Sequence, residues 1–191
     1  MRRIILAIAV LLSCAIPVFA QKDSEFPPRP SPPKLVNDLA GVMSADEREL
    51  LEQKARAFED STSNEICIVI VRSIGVYDVS DYNTKLGNLW GVGKASRNNG
   101  VLILAAVSDH RMNISVGKGL EGALTDLVSG HIIRNEMAPA FREGNYYRGF
   151  DRAIDAVSAA TRGEYKGDEK RGRNVGANSN VCVSPAASSA I

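Results

Sequence analysis

The sequence predicts a three-layer α/β sandwich, a small mixed β-sheet with helices on both faces, over residues 35–162. Three observations carry that prediction. Two unbroken apolar runs, Ile66 to Val71 and Val101 to Val107, have the composition of strands covered on both faces. A third run, Met112 to Val116, alternates and so belongs at an edge or half in solvent. Amphipathic helical stretches precede, separate and follow these runs, an order that stacks helices on a sheet.

The elements follow in chain order. Ser44-Ala45-Asp46-Glu47 is a capping box, with a hydroxyl at the N-cap and a carboxylate three residues on. Leu50, Leu51, Ala55 and Phe58 give the first helix its stripe, and Ser61-Thr62-Ser63-Asn64 frays it. Strand one is read over Glu65 to Ile74. Helix two begins near Ser80, carries Tyr82, Leu86, Leu89 and Trp90 on one face, and stops at Gly91 and Gly93. Strand two, Gly100 to Val107, is parallel to strand one because a helix connects them. Ser108-Asp109-His110-Arg111 is a tight turn into strand three, which returns antiparallel. Helix three enters through Leu124-Thr125-Asp126, is striped by Leu124, Leu127, Val128, His131 and Ile132, and is expected to end at Pro139. Helix four spans about Tyr147 to Thr161, with Phe150, Ile154 and Val157 inward.

Both ends read as something other than domain. Met1-Arg2-Arg3, the apolar run from Ile4 to Leu12, and Val18-Phe19-Ala20 before Gln21 have the layout of a signal peptide over residues 1–20. The alternatives are a membrane anchor and acylation at Cys14. The apolar run has about half the roughly 20 residues a span needs, and Val18-Phe19-Ala20 is the better cleavage fit. Residues 21–34, with Pro27, Pro28, Pro30, Pro32 and Pro33, form a Pro-rich linker, and residues 163–191 a disordered polar tail. The mature chain is therefore expected to be soluble, without a membrane span, and exported to a periplasm or secreted. Loss of Cys14 would leave Cys67, inside a strand, and Cys182, in the tail, as a buried thiol and an exposed one. The 191 residues carry a net charge of +1, which excludes a strongly basic nucleic-acid binder.

The sequence contains no nucleophile elbow, P-loop, His-Glu-x-x-His or paired Cys-x-x-Cys. Its chemistry lies in oxygen donors on loops, sorted by strand direction. The carboxyl ends of strands one and two gather Asp38, Asp109, His110 and Arg111. The opposite end gathers Asn98, Asn99, Glu121 and Asp126 beside Gly117, Gly119 and Gly122, which would let backbone approach a small ligand. Amide and carboxylate oxygens with almost no His or Cys suit Ca²⁺ or Mg²⁺. Plainer roles compete: Asn99-Gly100 and Asp109 form turns, Asp126 complements a helix start, and His110 is a turn residue. His131 falls on an apolar stripe and reads as packed. Arg142 and Lys118 are cations that would meet an anion or simply stay solvated.

Several stretches in this order resemble one family. They are Asn37-Asp38-Leu39-Ala40-Gly41-Val42-Met43-Ser44, Leu89-Trp90-Gly91-Val92-Gly93, Asn98-Asn99-Gly100-Val101-Leu102-Ile103-Leu104 and Asp109-His110-Arg111. Val116-Gly117-Lys118-Gly119-Leu120-Glu121-Gly122-Ala123-Leu124-Thr125-Asp126 is the strongest, and Pro139-Ala140-Phe141-Arg142-Glu143-Gly144-Asn145-Tyr146 closes the set. From about Val36 to Ala160 the chain resembles the TPM domain of thylakoid-lumen and photosystem-repair proteins. The resemblance implies a Rossmann-like sandwich and two functions. One is a divalent-metal-dependent, acid-phosphatase-like hydrolase of phosphomonoesters. The alternative is a non-enzymatic Ca²⁺-binding module that assists assembly or repair of envelope or membrane protein complexes. The acidic positions carry over as Asp38, Asp109, Glu121 and Asp126, with Asn99 from the Asn-Asn-Gly stretch. Asp126 and Asp109 are the expected catalytic groups, and all five are the expected metal ligands. Lys118 departs from the aromatic often found between the two glycines.

Overall fold

The computed structural model describes residues 26–94 and 96–165. The proposed signal peptide, Cys14, Cys182 and the tail beyond Tyr165 lie outside the described residues. Four strands form one sheet in the order β1-β2-β3-β4. β1 (Val36–Asp38), β2 (Glu65–Val71) and β3 (Gly100–Ala106) run parallel, and β4 (Arg111–Val116) runs antiparallel at the edge beside β3. The α/β class and the mixed sheet are as the sequence predicts. β2 and β3 end three residues and one residue earlier than read from the apolar runs.

β1 is the strand that periodicity could not show, since three residues hold no repeat. Its register, Val36 against Ile68, is fixed partly by a side chain. Glu52, on the helix α1 (Ala45–Thr62), is buried and accepts the Val36 N–H at 2.7 Å and the Leu35 N–H at 3.0 Å. A carboxylate thus satisfies backbone donors at the sheet margin that would otherwise be lost.

The alternating side chains of the strands divide the core into two layers. One face presents Ile66, Ile68, Ile70, Val101, Ile103 and Ile114 to Leu51, Ala55 and Phe58 of α1 and to Phe150, Ile154 and Val157 of the last helix. The other presents Cys67, Val69, Val71, Leu102, Leu104 and Ala106 to Tyr82, Leu86 and Trp90 of α2 (Val79–Trp90). One helix does not cover that face alone. From Phe26 onward the Pro-rich segment lies on the domain instead of standing clear as a spacer. The Phe26 ring sits 4.7 Å from that of Tyr82, and Trp90 Nε1 donates to the Pro27 carbonyl at 2.9 Å.

Three leucines assigned to helical stripes are exposed instead: Leu50 at 52%, Leu89 at 65% and Leu127 at 68%. In α1 the inward position beside Leu51 is taken by Glu52, whose bonds to β1 need it there.

Pro139 does not end the third helix. α3 (Asp126–Ile132) passes into a π-helical turn over Ile133–Met137 and continues as α4 (Ala138–Arg142). The Ala138 N–H donates to Ile133 O, five residues back, and the wider turn makes room for a proline that would clash in an α-helix. α5 (Tyr146–Thr161) completes the domain. Lys54 joins α1 to α5 through Asp151 at 2.5 Å and Asp155 at 2.9 Å.

Candidate functional site

Because β4 is an edge strand, a cleft opens along its free side. About 870 Å³ is enclosed between α2, β4 and the 117–126 loop. The α2 wall is Ser80, Thr84, Gly87 and Asn88, polar or small residues at roughly one-turn spacing. β4 contributes Asn113 and Ser115, and Thr84 and Ser115 hydroxyls meet at 3.3 Å. The loop and the start of α3 contribute Lys118, Glu121, Thr125 and Asp126. Thr125 caps α3 by accepting the Val128 N–H at 3.3 Å, which sets Asp126 in the first turn at the cleft wall.

The five predicted ligands do not meet. Glu121 and Asp126 share this cleft. Asp38 and Asp109 lie at the opposite end of the sheet, a strand length of about 20 Å away for seven residues. Asp126 and Asp109 therefore cannot act on one substrate. Asp38 has a fully buried side chain that accepts from Gly41 N at 2.8 Å and Met43 N at 2.9 Å. It folds the loop leading to α1. Asp109 accepts from Ile74 N at 2.7 Å and from the Ser73 hydroxyl, and these bonds hold its carboxyl below the ordinary 3.8. It tethers the turn after β3 to the loop after β2.

Asn99 is also committed elsewhere. Its buried amide accepts the Lys94 N–H at 3.0 Å and donates to Ser63 O, stitching the loop before β3 to the end of α1. Its neighbour Asn98 lines the cleft instead. The glycines do comparable work. A Cβ on Gly117 would lie 2.2 Å from Asn98 O, and one on Gly119 would lie 2.2 Å from Arg97 O. Their bareness serves the packing of two backbone loops, not the approach of a ligand; at Gly122 nothing lies within 4 Å. Cys67 is a buried free thiol, as its strand position predicts, and burial pushes it up to about 12.

The cleft's donor set answers which ion could fit. Among the described residues no three His, Cys, Asp or Glu come together. Ca²⁺ takes 6–8 oxygens, from carboxylates, amide and backbone carbonyls and water, so two carboxylates would leave most of its shell to neutral groups and water. Mg²⁺ keeps most of its water and is commonly held by one or two carboxylates together with a substrate phosphate. Glu121 and Asp126 fit that mode. Neither side chain has a hydrogen bond or ion pair within the described residues, so both carboxylates are free to take a ligand. Ser80, Thr84 and Asn88 were not foreseen as cleft residues, although their spacing on helix two was readable as a polar stripe opposite Tyr82, Leu86 and Trp90.

Fold and cleft together define an α/β sandwich whose accessible chemistry is oxygen donors and a lysine at a sheet edge. The family model described as the TPM domain, TPM_phosphatase, matches residues 36–160, and the chain belongs to that family. Among solved structures it is similar to the N-terminal domain of a protein from P. gingivalis, at 36% identity and a TM-score of 0.63, covering 69% of this chain and 84% of that one. The BA42 protein from Bizionia argentinensis shares the fold at 24% identity and a TM-score of 0.56, covering 66% and 86%. The N-terminal domain of cg2496 from Corynebacterium glutamicum does so at 15% identity and a TM-score of 0.55, covering 72% and 89%. No curated protein matches the chain. No helix among the described residues is long and apolar enough to cross a membrane.

Proposed function

We propose that the β4-edge cleft binds a phosphomonoester together with a hydrated divalent cation, Mg²⁺ in preference to Ca²⁺, and hydrolyses the ester. The observation that carries this reading is the placement of Glu121 and Asp126, whose side chains have no partner among the described residues, in one polar cleft with Lys118. Lys118 offsets charge on the phosphoryl oxygens. Asp126 orients an attacking water, and Thr84, Asn88 and Ser115 supply hydrogen bonds to the organic side of the ester. A cation bound there adds positive charge against those same oxygens. The predicted signal peptide supports action outside the cytoplasm.

The test is hydrolysis of p-nitrophenyl phosphate by the purified protein, with Mg²⁺ and with chelator. A chelator-sensitive rate that falls at least tenfold in Asp126→Asn supports the reading. A rate unchanged by that variant refutes it. Saturable binding of cation and phosphate with no turnover would favour the second function instead, a cation-binding module serving envelope or membrane complexes. That outcome has support in the cleft lining, whose hydroxyls at Ser80, Thr84, Ser115 and Thr125 have no histidine beside them among the described lining residues.

A further inference from the structure

The opposite end of the sheet holds a second cavity, of about 700 Å³, with different chemistry. Ala105, Ala106 and Val107 at the end of β3, Met112 of β4, Ile133 of the π turn, and Ala138 and Phe141 of α4 make it apolar. Phe141 is fixed there by ring contacts, 4.8 Å to Tyr146 and 5.0 Å to Phe150 between centroids. At Gly149 a Cβ would lie 2.4 Å from the Phe141 ring, so the glycine lets that ring seat against α5.

The polar groups of the lining are cationic or neutral: His110, Arg111, Arg142 and Tyr146. The Arg142 side chain makes no hydrogen bond or ion pair within the described residues. Arg111 uses one donor, at 3.1 Å, on the Tyr77 carbonyl and keeps the others of its fork. Asp109 interacts electrostatically with Arg111 and His110, but its carboxylate accepts from Ile74 N and Ser73 Oγ and forms no ion pair with either. Two further observations mark the place. His110 holds a left-handed backbone, φ 51°, although it is not glycine, and the helix beneath carries the π turn. Both irregularities concentrate at ligand sites. The carboxyl end of parallel strands is also where open α/β sheets bind ligands.

We propose that this cavity binds an amphiphilic anion, a phosphate or carboxylate head carrying an apolar chain. The head sits between Arg142 and Arg111, and the chain lies on Met112, Ile133 and Phe141. The cavity falls within the ordinary range of small-molecule sites, about 300–1,000 Å³. The site is separate from the Glu121–Asp126 cleft and stands or falls independently of it.

The purified protein is titrated by calorimetry with n-octyl phosphate, inorganic phosphate and octyl glucoside, with chelator present so that the Glu121–Asp126 cleft holds no divalent cation to bind phosphate with. The expected result is saturable one-to-one binding of octyl phosphate. Inorganic phosphate should bind at least tenfold more weakly, and the neutral glucoside should not saturate. Arg142→Gln and Arg111→Gln, both exposed positions, should each weaken octyl phosphate at least tenfold. Sedimentation with phosphatidylglycerol–phosphatidylcholine vesicles then separates the sources. Vesicle binding lost in Arg142→Gln identifies a lipid as donor of the anion, and its absence identifies a free soluble one. The proposal is overturned if octyl phosphate fails to saturate, if the glucoside binds equally well, or if both arginine variants bind as the natural protein does.

Discussion

Replacing Asn99 by alanine separates a ligand from a staple. The side chain is 4% exposed. Its oxygen accepts Lys94 N at 3.0 Å, and its amide nitrogen donates to Ser63 O and, at 3.3 Å, to Asn64 Oδ1. Truncation loses two good hydrogen bonds and one marginal one, each worth about 1 kcal/mol net, so stability should fall by about 2–3 kcal/mol. For a domain of this size that is a fall in Tm of roughly 6–12 °C. Urea denaturation reports it through Trp90, which is 3% exposed and gains water on unfolding. Because Asn99 does not line the cleft, the variant should keep its Mg²⁺ and phosphate affinity below its melting temperature. Asn98→Gly, which removes a cleft residue at a left-handed position, φ 48°, should leave stability nearly unchanged. If Asn99→Ala melts like the natural protein but loses its cation, the amide is a ligand and the assignment here is wrong.

Three further outcomes follow from the same geometry. Gly119→Ala should destabilise by about 1–3 kcal/mol, since its methyl must displace backbone, whereas Gly122→Ala should stay within about 0.5 kcal/mol; equal urea midpoints would refute the close-packing account. The neutral Cys67 thiol is the form the fold holds, so its contribution is complete below pH 9.0 and is lost as pH climbs toward about 12; Cys67→Ala should flatten that alkaline fall, and an unchanged slope would contradict it. Asp109 is held low by Ile74 N–H and the Ser73 hydroxyl, so its contribution is present above 3.8 and disappears as pH falls through the lowered value. Ser73→Ala should move its NMR titration upward, and a titration that stays put would assign the shift to other partners.

Much of the fold was legible because burial on both faces writes itself as continuous apolar runs, and Ser44 and Glu47 announce a helix start that the structure contains in full. The failures have local causes. β1 is too short to show a period and is held by Glu52, a residue whose type advertises solvent. Pro139 reads as a terminator, yet a π turn accommodates it. At the cleft, strand direction places Glu121 and Asp126 at one end of the sheet, and both line it. Residue chemistry could not tell Asn98 from Asn99, because adjacent residues differ only in which way the backbone turns them. Nor could it show that Asp38 spends its oxygens on backbone amides and Asp109 on an amide and the Ser73 hydroxyl, since such bonds depend on loop closure.

The central claim is that Glu121 and Asp126 take a hydrated cation and a phosphate as one unit. Its most direct measurement is phosphate affinity with and without saturating Mg²⁺, by calorimetry on the natural protein, Glu121→Gln and Asp126→Asn. The account predicts about tenfold tighter phosphate with Mg²⁺, a coupling near 1.4 kcal/mol, abolished in either variant. Phosphate binding indifferent to Mg²⁺, or a coupling that survives both substitutions, would contradict it.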